Sequence, residues 1–200
     1  MDEESKQQEL FSELGKFVVH FEGLQAIQKE CICIYLEESG LTNDKLTKLL
    51  LSDSTAKSIC DYFFSISADF LKNQPKTSLN PDEVDFIQKL LDKTRNAIND
   101  ASQLRNDIVH SSWKITNIYD ELRLEAERIK IRGSEGDIDQ LEILLGDLNK
   151  IIEWIDNLAL VSFDIATVLV GFGSISNLND AEALLKNIAF QNFRSGLKKS

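Results

Sequence analysis

The amino-acid sequence predicts an all-α protein built as an antiparallel bundle of helices, and three observations lead to this prediction. The 200 residues include only two prolines and nine glycines, so the chain has few helix-breaking positions. Apolar residues recur at intervals of three and four along several long stretches, which is the pattern of amphipathic helices. The length and the apolar fraction of 42% suit one domain with a sizeable core. We therefore expect residues 1–200 to form a single helical domain.

The first half of the chain predicts three helices in succession. The first covers roughly residues 5–38, where the apolar side chains form one broad stripe. Gly40 follows it at the position of a C-terminal cap, where a left-handed backbone is needed. A short helix then runs through Leu51, and a third helix covers about residues 55–72.

The fourth predicted helix has the strongest start signal in the sequence, Asn80-Pro81-Asp82-Glu83. The side chain of Asn80 can accept from the first free amides, and Pro81 has no amide to leave unpaired. Asp82 and Glu83 lie near the positive end of the helix dipole. We expect this helix to continue to about residues 110–112.

The stretch over residues 113–137 carries two competing signals. Apolar and charged residues alternate there with a period of two, which indicates extended structure. Several residues near position 121 are good helix formers, so a helix is the alternative. We expect a short extended or hairpin segment near residues 122–132.

The last third of the chain predicts one long helix and one short helix. The long helix starts at Asp137 or Asp139 and reaches about residue 170, because leucine and isoleucine recur there at helical spacing. A short amphipathic helix covers about residues 179–193. Residues 195–200 are expected to form a flexible basic tail.

Composition and charge limit the kinds of function that fit the chain. The net charge of −11 argues against a general nucleic-acid coat protein. No stretch of 18 or more apolar residues exists, and the N-terminus is acidic and lacks the apolar run of a signal peptide. The odd count of three cysteines suits reduced thiols. We expect a soluble, cytoplasmic protein that has no membrane partner, no metal and no cofactor.

The sequence has two histidines, His20 and His110, and only the second has chemically useful neighbours. His20 lies beside an apolar stripe and is interpreted as structural. His110 follows Asn106 by four residues, so the two side chains share one helix face. Arg105 lies about 140° around the helix from His110. If the helix unwinds after His110, the guanidinium and the imidazole can approach each other.

Arginine, asparagine and histidine together suit phosphoryl transfer. Histidine can take a proton from an attacking hydroxyl or give one to the leaving group. Arginine can pair with phosphate oxygens and offset the charge that develops in the transition state. RNA supplies its own nucleophile, the 2′-hydroxyl. Asp107 is interpreted as a solvated or ion-paired neighbour of Arg105 and not as a base.

The segment Arg105-Asn106-Asp107-Ile108-Val109-His110 resembles the signature of the HEPN superfamily (higher eukaryotes and prokaryotes nucleotide-binding domain). In that pattern an arginine is followed by four to six residues and a histidine, with a polar residue directly after the arginine. The motif of the superfamily lies toward the end of a long helix in a helical bundle, which matches its predicted place here.

The resemblance implies a metal-independent endoribonuclease that acts as a homodimer, in which two copies of the motif form one cleft. Arg105 and His110 match the catalytic pair and Asn106 matches the supporting polar residue. RNA would be the substrate, cleaved by attack of its 2′-hydroxyl. Relatives often act as toxins or in antiviral defence, some with an antitoxin or another regulatory protein. The alternative is a non-catalytic helical interaction or regulatory module.

Overall fold

A computed structural model describes six helices and one three-stranded sheet. The described residues are 3–41, 44–73, 79–110, 112–118, 121–132 and 135–185. In chain order the elements are α1 (Glu3–Glu38), α2 (Asp44–Ser52), α3 (Ala56–Asn73), α4 (Pro81–His110), β1 (Ser112–Ile118), β2 (Glu121–Arg132), β3 (Glu135–Leu144), α5 (Leu145–Leu169) and α6 (Ile175–Leu185). The predicted helical bundle is confirmed. None of the described helices is long and apolar enough to cross a membrane.

The chain groups into two compact units, each assembled from separate stretches of sequence. In the described part of the chain, the first unit contains α1 up to Phe21 and the segment Gln103–Trp154. The second contains Glu22–Ser102 and Ile155–Asn187. The expectation of a single domain over residues 1–200 stays a prediction, and the expected tail at 195–200 lies outside the described residues.

In the second unit, α1 and α3 pack side by side and run in the same direction. The ring of Tyr35 lies against Phe63 and Phe70, with centroids 6.3 and 4.8 Å away. Earlier in the same two helices, the amide of Gln28 interacts with the thiol of Cys60. Residues that come later in α1 contact residues that come later in α3, so the two helices are parallel. The connection that contains α2 carries the chain back to the same end.

Helices α3 and α4 run in opposite directions, as expected for an antiparallel bundle. The thiol of Cys60 donates to Asn99 Oδ1 over 3.9 Å. One turn further along α3, the ring of Phe64 faces Arg95, whose guanidinium lies 6.0 Å from the ring centroid. Arg95 also donates to Asp61 over 2.9 Å. Residues that come later in α3 contact residues that come earlier in α4, so the two helices are antiparallel.

The predicted end of α1 and start of α4 are both observed. Gly40 has a φ of 86°, and the amides of Gly40 and Leu41 donate to the carbonyls of Glu37 and Leu36, each over 2.9 Å. This is the glycine cap that the sequence indicates. At the start of α4, the Glu83 amide donates to Asn80 Oδ1 over 3.0 Å, and the Asn80 amide donates to Glu83 Oε2 over 2.8 Å. The two residues therefore form a reciprocal capping box.

The extended segment is longer than the predicted stretch at 122–132 and forms an antiparallel sheet of order β1-β2-β3. Ile118 pairs with Glu121 and Arg132 pairs with Glu135, so only two residues connect the strands at each hairpin. Strand β2 pairs with β1 only as far as Glu127, opposite Ser112. Its last five residues pair with β3 alone.

The predicted start of the last long helix at Asp137 or Asp139 is wrong. These residues lie in β3, and α5 begins at Leu145. The register places Asp137 opposite Lys130 and Asp139 opposite Arg128. Opposite charges at paired positions stabilise a hairpin, and this gain competes with the helical spacing of the leucines that follow.

The predicted short helix at 179–193 also begins earlier than expected. Helix α6 starts at Ile175, four residues ahead of the prediction. The Asn177 amide donates to the Ser174 carbonyl over 3.1 Å, and the Ser174 hydroxyl donates to Asn177 Oδ1 over 3.0 Å. Ser174 thus holds the first turn in place. The predicted end at residue 193 lies outside the described residues.

Candidate functional site

The candidate site lies on the last two turns of α4, which stays helical through His110. One face of this stretch is buried, and its residues follow each other at intervals of three and four: Ile98, Ala101, Leu104 and Ile108. This buried face fixes the rotation of the helix about its axis. Leu104 and Ile108, which belong to the same unit as the motif, therefore fix where the side chains of the motif lie relative to the core of that unit.

Asn106 and His110 lie together on the exposed side of α4. They are four residues apart, which places one above the other with a rise of about 6 Å along the axis. Val109 lies to one side of their row and is 43% exposed, although its side chain is apolar. Val109 was not among the predicted site residues. Its position next to the buried Ile108 could have shown that it falls outside the apolar stripe.

Arg105 has a different environment from His110. The residue is half-buried, and its Nε atom is buried. It also interacts with other groups of its own chain.

Within one chain, the helix keeps Arg105 and His110 apart. We predicted that the two side chains could approach if the helix unwound after His110. Helix α4 ends at His110, and up to that residue its helical backbone keeps the two side chains about 140° apart around the axis. The two groups thus project in different directions from one helix.

Asp107 accepts a hydrogen bond from the side-chain amide of Gln103 over 2.8 Å. The residue is half-buried and has further interactions in its chain. A carboxylate held by neighbours on its own helix is suited to a structural role. This agrees with its interpretation as a partnered residue and not as a base.

The sheet begins immediately after the motif. Ser112, two residues beyond His110, is the first residue of β1 and pairs with Glu127. The basic residues further along β2 stand opposite acidic residues of β3, at Arg128–Asp139, Lys130–Asp137 and Arg132–Glu135.

The other candidate groups for chemistry are buried or lie elsewhere in the chain. His20 is half-buried in α1 and interacts with other groups of the chain. Cys31, Cys33 and Cys60 are buried free thiols. Burial, with Glu30 nearby, raises the pKa of Cys31 to about 12, and burial with Asp61 nearby raises the pKa of Cys60 to about 11. Both groups are therefore protonated and unreactive near neutral pH.

No group of three or more histidine, cysteine, aspartate or glutamate side chains within the described ranges is arranged to hold a metal ion. The motif on α4 remains the strongest collection of groups for chemistry. It brings Asn106 and His110 together on one exposed face and leaves Arg105 on another.

Comparisons with known proteins add no relative. No family model, no curated protein and no solved structure matches the chain.

Proposed function

We propose that this chain is a HEPN-type endoribonuclease that cleaves RNA without a metal, in a cleft formed by two copies of the chain. The observation that carries the proposal is the exposed pair Asn106 and His110 at the end of a long helix in a helical bundle. A structural histidine is usually buried or enclosed, whereas His110 can meet a substrate or a second subunit.

The geometry of α4 supports a site shared between two chains. Phosphoryl transfer needs a cation and a proton-transfer group close to the same phosphate. On one α4, Arg105 and His110 project about 140° apart, so one helix does not bring them together. A second α4 that faces the first can place its Arg105 or His110 on the other side of the same phosphate.

In the proposed reaction, the 2′-hydroxyl oxygen attacks the adjacent phosphorus and the bond to the 5′-oxygen breaks. His110 takes the proton from the attacking hydroxyl or gives one to the leaving oxygen. Arg105 pairs with the non-bridging oxygens as negative charge gathers on them. Asn106, one turn from His110, orients the imidazole or the phosphate by a hydrogen bond. The products are a 2′,3′-cyclic phosphate and a 5′-hydroxyl.

This chemistry suits a cytoplasmic toxin or an antiviral defence component. Unregulated RNA cleavage harms the cell that makes the enzyme, so an antitoxin or another regulatory protein would hold it inactive. The acidic chain, with its net charge of −11, repels RNA at long range. We therefore expect binding of RNA to depend on a few local contacts at the motif.

The test is cleavage of single-stranded RNA by the purified protein in EDTA. Wild-type protein is expected to cut and His110→Ala to lose at least about 100-fold in rate, because the proton-transfer group is gone. The exposure of His110 means that the variant keeps its fold. His20→Ala, at the only other histidine, is the matched control and is expected to keep activity.

Three outcomes would contradict the proposal. If His110→Ala cuts RNA at the wild-type rate after clean purification, the activity belongs to a contaminant or to another site. If wild-type protein leaves a broad RNA panel intact, the chain is a non-catalytic interaction module. Products that lack a 2′,3′-cyclic phosphate would rule out attack by the 2′-hydroxyl.

A further inference from the structure

We draw no further inference here: the strongest candidate, the surface patch that the exposed apolar side chains of Leu160 and Phe163 form on α5 in the second unit, carries no proposal because nothing in the structure shows what covers it.

Discussion

At the scale of single residues, the second unit contains a polar pair with no access to solvent. Tyr35 and Ser67 are each 0% exposed, and their hydroxyl groups are hydrogen-bonded over 2.9 Å. The Ser67 hydroxyl also bonds to the carbonyl of Phe63 over 2.8 Å. Burial raises the pKa of Tyr35, so its hydroxyl stays neutral and serves as a hydrogen-bonding group.

Removing the Ser67 hydroxyl is expected to lower the stability of the fold more than removing the Tyr35 hydroxyl. Ser67→Ala leaves the Tyr35 hydroxyl buried without this partner, which costs about 1–3 kcal/mol in the free energy of unfolding. Tyr35→Phe costs about 0.5–1.5 kcal/mol, because the Ser67 hydroxyl keeps the Phe63 carbonyl. Urea denaturation followed by circular dichroism measures both values. A larger loss for Tyr35→Phe than for Ser67→Ala would contradict this assignment of partners.

At the scale of elements, the helices were predictable because their signals are local. The Asn80 to Glu83 start, the Gly40 cap and the apolar stripes each lie within a few residues of the structure that they specify. The boundary between β3 and α5 was not predictable in the same way. Leu141, Leu144 and Leu148 satisfy helical spacing, and only pairing with a distant β2 makes the first two extended.

The end of α5 and the start of α6 carry a pH-dependent element. Partial burial, together with the nearby carboxylate of Asp180, raises the pKa of Asp164. A raised pKa means that the folded state favours the protonated acid. The resulting stability is complete below the unfolded pKa, near 3.8, and is lost as the pH rises through the folded value. At pH 7 the charged Asp164 therefore weakens the fold.

Asp164→Asn is expected to raise Tm at pH 7 by about 1–3 °C, since it removes the charge that the folded state disfavours. The difference from wild type is expected to vanish below about pH 4, where the carboxyl is protonated in both states. Asp180→Asn should raise Tm by a smaller amount, because it removes the nearby negative charge but leaves Asp164 partly buried. Glu153→Gln, an exposed carboxylate on the same helix, is the control. An equal rise in Tm at pH 4 and pH 7 would show that the charge of Asp164 does not cause the destabilisation.

At the scale of the whole molecule, the candidate site residues could be selected from the sequence, but their arrangement on α4 could not be predicted completely. Arg105, Asn106 and His110 could be selected from their spacing and from the end of a predicted helix. Whether the side chains of Arg105 and His110 approach each other could not be predicted from their spacing, because this depends on where α4 ends.

A site shared between two chains makes a prediction that a site within one chain does not. The proposed cleft draws on both copies, so two inactive variants can complement each other. His110→Ala supplies an intact Arg105, and Arg105→Gln supplies an intact His110. A heterodimer of the two then contains one working cation and one working proton-transfer group on opposite sides of the phosphate.

We expect each variant alone to be inactive and an equimolar mixture to regain up to about half of the wild-type rate, because random exchange makes half of the dimers mixed. The measurement is RNA cleavage after the two proteins are mixed and equilibrated above their dissociation constant. The double variant His110→Ala with Arg105→Gln, mixed with wild type, is the control for dilution of the active chain. Circular dichroism must show that Arg105→Gln keeps its helix content, since the Arg105 Nε atom is buried. Inactivity of the mixture, with both variants folded and dimeric, would place Arg105 and His110 in the same chain's site and would refute the shared cleft.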